Sequence, residues 1–209
     1  MRTTILKELD NIEQILGNLG TAVCIFGSAR IALESEAYRI AYQIAERLSN
    51  HGYAVISGGG PGIMRAANAG ASAGTSPTVG LNIALPFEPL DDRFQDISLV
   101  FENFMTRKLA FAKCSHAFIF MPGGMGTLDE LFEMLTLMQT KKISRAPIIL
   151  VGRYFWNGLL KWMRDYLESA AMIDPYEIEE IQLLDDIDEV CTYITSQISP
   201  TTLPNSRAV

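Results

Sequence analysis

The stretch Tyr53-Ala54-Val55-Ile56-Ser57-Gly58-Gly59-Gly60-Pro61-Gly62 runs from a strand-like apolar segment into a glycine-rich turn, and a helix-like run follows it. The same order recurs at Ala117-Phe118-Ile119-Phe120-Met121-Pro122-Gly123-Gly124-Met125-Gly126-Thr127. Glycines let backbone N–H groups approach a ligand with no Cβ in the way, and a helix N-terminus behind them adds partial positive charge. Two such turns in one small domain point to an anion, most often the phosphate of a nucleotide or sugar phosphate. A tight strand-to-helix turn with no ligand accounts equally well for either turn alone; the pair favours binding.

Outward from these turns, strand and helix signals alternate. Residues 21–26, 53–56, 78–83, 97–101, 117–120 and 147–151 read as strands, short and continuously apolar. Residues 36–50, 61–73, 103–114, 127–141, 155–170 and 187–198 read as helices, with Pro61 suited to a first turn and Asn103 to an N-cap. Continuously apolar strands alternating with helices predict an α/β fold, a doubly wound parallel sheet with helices on both faces. In such sheets ligands bind at the carboxyl ends of the strands. The turns at 27–30, 57–62 and 122–127 all lie on that edge, which adds Gly27 and Ser28 to the candidate binding residues Gly58, Gly59, Gly60 and Gly62. One catalytic domain is expected over residues 20–199. An amphipathic helix within residues 1–19 precedes it, with Ile5, Leu6, Leu9, Ile12, Ile15, Leu16 and Leu19 at helical spacing, and its stripe suits either the domain or a second subunit. The connection 84–96 is placed to wall the pocket, and residues 200–209 read as a loose tail.

The 209 residues suffice for one sizeable core, and the net charge of −7 argues against broad binding to nucleic acid or anionic membranes. No run of apolar residues is long enough to span a bilayer, and Glu8, Asp10 and Glu13 interrupt any leader-like stretch at the start. Cys24, Cys114 and Cys191, like His51 and His116, show no metal or redox spacing. Buried thiols in a reducing cytoplasm, with neither metal nor cofactor, are the expectation. Ile63 stands where a dinucleotide fingerprint needs its third glycine, and a Walker A lysine is missing, so both motifs are disfavoured.

Two charges carry the chemistry. Thr127-Leu128-Asp129-Glu130 fits a capping box, which would place Glu130 in a first helical turn with its ionised form favoured by the helix dipole; Glu133, one turn on, is the reserve carboxylate. Arg107 lies in an apolar stripe between Phe104 and Phe111, either snorkelling to water or held in the pocket, where it can hydrogen-bond a phosphate, a base or Glu130. Lys108 is adjacent and points about a quarter-turn away.

Arg107-Lys108 followed by Pro122-Gly123-Gly124-Met125-Gly126-Thr127-Leu128-Asp129-Glu130 resembles the signature of the Lonely Guy family, an Arg-Lys pair and then P-G-G-x-G-T-x-x-E. The similarity runs over roughly residues 20–170 and includes Gly58 to Met64. It implies a Rossmann-like fold, a homodimer or larger assembly, and hydrolysis of nucleoside 5′-monophosphates, AMP or cytokinin riboside monophosphates, to free base and ribose 5-phosphate. By match to the motif, Arg107 and Glu130 fall on the catalytic pair, and Gly123, Gly124, Gly126 and Thr127 on phosphate contacts, with Lys108 and Glu133 beside them. A related group with the same fold, the molybdenum-cofactor carriers, binds without catalysis and supplies the alternative reading. The segment Leu85 to Phe101 matches the plant members poorly, and it should border the base.

Overall fold

The computed structural model describes residues 2–85 and 91–201. Seven strands form one sheet: β1 (Ala22–Phe26), β2 (Ala54–Ser57), β3 (Thr78–Ile83), β4 (Ile97–Phe101), β5 (Ala117–Phe120), β6 (Ile148–Val151) and β7 (Ile181–Leu184). Their order is β4-β3-β2-β1-β5-β6-β7 and every pairing is parallel. Alternate side chains enter opposite layers, as the twofold strand repeat requires. In β1, Ala22, Cys24 and Phe26 join one core while Val23 and Ile25 join the other. Both layers are apolar, which is why the strands read as unbroken hydrophobic runs.

Helices α2 (Glu36–Asn50), α3 (Ile63–Ala73) and α8 (Ile187–Gln197) cover one face. The other face carries α1 (Arg2–Asn11), α4 (Phe104–Cys114), α5 (Met125–Gln139), α6 (Arg153–Trp162) and the short α7 (Pro175–Glu179). A widened π turn, Ile12–Leu16, continues α1 and puts Ile12 and Leu16, with Leu19 beyond, into the core of its own domain. Leu6 and Ile15 stay half exposed, so the expected stripe divides between the domain and solvent.

Several boundaries differ from the sequence reading. β7 and α7 were not anticipated: β7 is four residues between carboxylate pairs, held to β6 by backbone register from Ile148↔Ile181 to Val151↔Leu184. Pro61 is not in the first turn of α3, which starts at Ile63 behind a Gly62 with φ +64°. Asn103 is the N-cap of α4, but its side chain does no capping. The start of the tail is not loose: the Thr21 hydroxyl donates to Ser199 O (3.0 Å), and Thr201 N donates to Thr21 Oγ1 (3.1 Å). Residues 202–209 lie outside the described ones, as do 86–90 within the expected pocket wall.

Candidate active site

The strand order reverses direction between β1 and β5, and the loops after β1, β2 and β5 meet there. Ser28 ties the three together through its backbone: its N–H donates to Pro122 O (3.1 Å) and its carbonyl accepts from Ile63 N (3.0 Å). Behind the β2 turn, Ser57 Oγ donates to Asn68 Oδ1 (2.5 Å), and Asn68 Nδ2 donates to Thr78 Oγ1 (2.8 Å) and Val79 O (3.1 Å). A fully buried network of this kind rigidifies the turn it supports. Between the loops opens a crevice of about 720 Å³.

Of the expected residues, Gly27, Ser28, Gly58, Gly59 and Gly60 line one side of this crevice, and Gly124, Gly126 and Thr127 line another. Arg107 and Glu130 complete its wall. Gly62 and Gly123 do not line it. Gly62 takes its left-handed conformation against the backbone of Ser28 and Ala29, while a Cβ on Gly123 would strike Thr127. Their glycines serve loop packing. Gly124 and Gly126 are different: a Cβ on either would meet nothing within 4 Å.

The two glycine turns are therefore unequal. In the first, Gly59 N donates to Ser57 Oγ (3.0 Å) and Ile63 N to Ser28 O, so two of its donors are already committed within the protein. In the second, α5 opens at Met125 with Gly124 as N-cap, and the earliest intrahelical bond is Leu128 N to Gly124 O (3.0 Å). The amides of Met125, Gly126 and Thr127 precede that bond and have no acceptor within the helix. They and the helix dipole face the crevice, an arrangement that suits an anion.

This helix start overturns the capping box. Thr127 is the third residue of α5, not its N-cap, and Glu130 sits in the second turn. Glu130 is 8% exposed and its Oε2 has no hydrogen-bond partner. Burial, reinforced by the nearby Glu133 carboxylate, raises its pKa to about 7, against the opposing pull of Lys108 and Arg107. The expected dipole-stabilised, fully ionised carboxylate is thus replaced by one poised near neutrality.

The guanidinium of Arg107 turns inward instead of snorkelling. Nε donates to Leu81 O (2.7 Å), Nη2 donates to Gly58 O (3.0 Å), and Cζ lies 5.3 Å from the centroid of Phe111. Burial lowers its pKa, with Glu130 opposing the shift. Lys108 and Glu133, expected among the binding residues, do not line the crevice. Lys108 Nζ pairs with Asp129 (2.8 Å) and Glu133 (3.2 Å), which places a cation and two carboxylates beside Glu130.

Leu85 and Asp91 line the crevice, as expected of the 84–96 connection, while Arg30, Asn82, Phe104 and Met125 were not singled out as lining residues. Asn82 carried a usable signal, an amide inside an apolar strand near its carboxyl end. It is buried and donates to Gln95 Oε1 (3.0 Å) and Ser98 Oγ (3.0 Å). Arg30 and Asp91 fall in segments placed at the binding edge, but nothing in the sequence distinguishes their side chains from surface charges. Among the described residues, no group of three or more His, Cys, Asp or Glu is arranged to hold a metal ion, and no helix is long and apolar enough to cross a membrane. All three cysteines are free, with Cys24 and Cys191 buried.

A family model described as possible lysine decarboxylase matches residues 64–194. The cytokinin riboside 5′-monophosphate phosphoribohydrolase of Mycobacterium tuberculosis is 29% identical over 156 residues, covering 73% of this chain and 82% of that protein. A probable enzyme of the same name from Oryza sativa subsp. japonica is 31% identical over 157 residues, 73% of this chain and 63% of that protein. Among solved structures, the molybdenum cofactor carrier protein of Chlamydomonas reinhardtii superposes with a TM-score of 0.64 at 19% identity, covering 85% of this chain and 97% of that one. At that identity the likeness is one of fold alone.

Proposed function

Because the chain belongs to the Lonely Guy family, the one that the possible lysine decarboxylase model describes, we propose that it hydrolyses the N-glycosidic bond of nucleoside 5′-monophosphates. The products are free base and ribose 5-phosphate, and the substrates are AMP or cytokinin riboside monophosphates. One observation carries this reading. The buried Glu130 carboxylate, with one oxygen unpartnered, shares a crevice with the open amides of α5 and with Arg107. A lysine decarboxylase using pyridoxal phosphate needs a lysine amine to hold that group covalently. Among the described residues no lysine lines this crevice, so they do not fit pyridoxal phosphate.

In this mechanism the amides of Met125, Gly126 and Thr127 hold the 5′-phosphate, and that remote binding energy positions the ribose. The bond between C1′ and the base nitrogen breaks toward an oxocarbenium-like ribosyl cation, by analogy with sugar hydrolysis. The Glu130 carboxylate faces the developing positive charge, orients a water for attack on C1′ and takes its proton. A general base with a pKa of about 7 is matched to that work near neutral pH. The bonding electrons leave on the base, which picks up a proton from water. Arg107 uses two of its five N–H groups on carbonyl oxygens. Those it retains stabilise the departing base.

The test is incubation of purified protein with nucleoside monophosphates, nucleosides and triphosphates, reading free base. Base release confined to monophosphates is expected, and Glu130→Gln or Arg107→Ala should reduce it by at least about 10²-fold in folded protein. Wild-type turnover in either variant refutes the mechanism. Tight binding of AMP without release of adenine would identify a non-catalytic carrier instead.

A further inference from the structure

We propose that Glu8, on the N-terminal helix, is a positioning residue for Arg107: it ties down the start of α4 from a different element and so fixes where the arginine enters the crevice. The kinetic part of this inference rests on the proposed hydrolysis; the structural part does not.

The first turn of α4 lacks a cap of its own. Asn103 stands at the N-cap in an extended conformation, yet its side chain makes no bond to the helix. Its Nδ2 donates outward, to Glu8 Oε2 (3.1 Å). The backbone N–H of Glu102 donates to Glu8 Oε1 (2.6 Å), and the Thr106 hydroxyl donates to Glu8 Oε2. One carboxylate thus gathers a backbone donor before the helix, the N-cap side chain and a side chain in the first turn. Helix N-termini favour such an acceptor both for its lone pairs and for its charge. Glu8 is only 5% exposed, and a buried carboxylate is tolerated when donors surround it in this way.

Arg107 follows Thr106 directly, and its own N–H closes the opening turn of α4 onto Asn103 O (3.2 Å). The arginine is therefore held at two ends. Leu81 and Gly58 hold the guanidinium, while Glu8 holds the backbone from which it springs. Without Glu8 the first turn frays, and the tip contacts alone must place the group. Phosphate anchoring is assigned to α5, so loss of Glu8 should affect the chemical step and leave binding nearly intact.

The experiment compares Glu8→Ala, Thr106→Val and Ile12→Ala with wild-type protein. AMP hydrolysis, thermal melting and hydrogen exchange at residues 102–108 are measured on each. Ile12 packs in the core on the same N-terminal segment and, being apolar, contributes no hydrogen bond to the start of α4, so its truncation reports on loosened packing. Glu8→Ala is expected to lower kcat by about 10- to 100-fold with KM within about twofold, and to speed exchange at the start of α4. Thr106→Val, which removes a single donor, should show the same split at smaller size and covers the case in which Glu8→Ala does not fold. Ile12→Ala should melt earlier with kcat unchanged. The proposal is overturned if folded Glu8→Ala keeps wild-type kcat and exchange, or if Ile12→Ala loses kcat in proportion to its loss of stability. Should wild-type protein release no base from any monophosphate, the hydrolysis reading fails separately. The exchange comparison then decides Glu8 by itself.

Discussion

At the scale of single residues, the proposed role of Glu130 would couple activity to stability. Its pKa rises from 4.5 to about 7 on folding, chiefly through burial. A raised pKa means that the folded state binds the proton more tightly than the unfolded chain does. The associated stability is complete below pH 4.5 and is lost as pH climbs through about 7. Above that point the ionised carboxylate costs on the order of 3 kcal/mol. Glu130→Gln should therefore melt later than wild type at pH 8 and gain nothing near pH 4, while losing base release at every pH. In the wild-type protein kcat/KM is expected to rise with pH to a plateau above about 7, because the proposed mechanism uses the carboxylate form. Lys108→Ala removes the cation that offsets Asp129 and Glu133. It should move that rise to higher pH, and a pH–rate profile that stays in place would show that Lys108 does not tune Glu130. Arg107 and Glu130 were legible as residues because their spacing matched a long motif. Their electrostatics were not, since the pKa of a carboxylate depends on who surrounds it in space.

Among elements, the start of α5 separates two kinds of glycine that look alike in the chain. Gly126 lies inside the helix with open space where a Cβ would go. Alanine there relieves the entropic penalty of a helical glycine and should stabilise the fold by about 0.5–1 kcal/mol. If the amides beside it hold phosphate, the added methyl group intrudes on the ligand, so Gly126→Ala should raise the KM for AMP while raising the melting temperature. Gly62→Ala should do the reverse. Its φ of +64° and its contact with the Ser28 and Ala29 backbone leave no room for a side chain. A loss of roughly 1–3 kcal/mol or more is expected, visible in denaturant melts. Identical effects from the two substitutions would remove the distinction between cradle and packing glycine. The helix start also explains why a capping box was misread: Thr127-Leu128-Asp129-Glu130 satisfies the pattern, but Gly124 already lets the chain enter the helix and the pattern falls inside it.

Over the whole molecule, the N-terminal segment is part of the domain rather than an appendage. Ile12, Leu16 and Leu19 are each at most 5% exposed and share a core with β1, α4 and α5. Burial of three such side chains contributes roughly 5–9 kcal/mol, comparable with the entire stability of an ordinary domain, about 5–15 kcal/mol. Deleting residues 1–19 should leave a chain that binds hydrophobic dyes and lacks a cooperative thermal transition; a sharp melt in the truncated protein would show the segment to be dispensable. The alternation of apolar runs and helical stripes, the position of the glycine turns after strands, and the charge pattern follow from local chemistry, because strand and helix periods and the absence of Cβ are properties of neighbouring residues. Sequence alone therefore determined an α/β sheet wound in parallel and the place of the glycine turns on its carboxyl edge. The tertiary structure decided what depends on residues far apart in the chain. It made Ser28 the link among three loops, left the first amides of α5 open while committing Gly59 N and Ile63 N of the first turn, and sealed Glu130 beside Glu133. It also brought Glu8 to the helix that carries Arg107. Each is a matter of desolvation and donor–acceptor pairing across the fold, and those energies exist only once the distant partners meet.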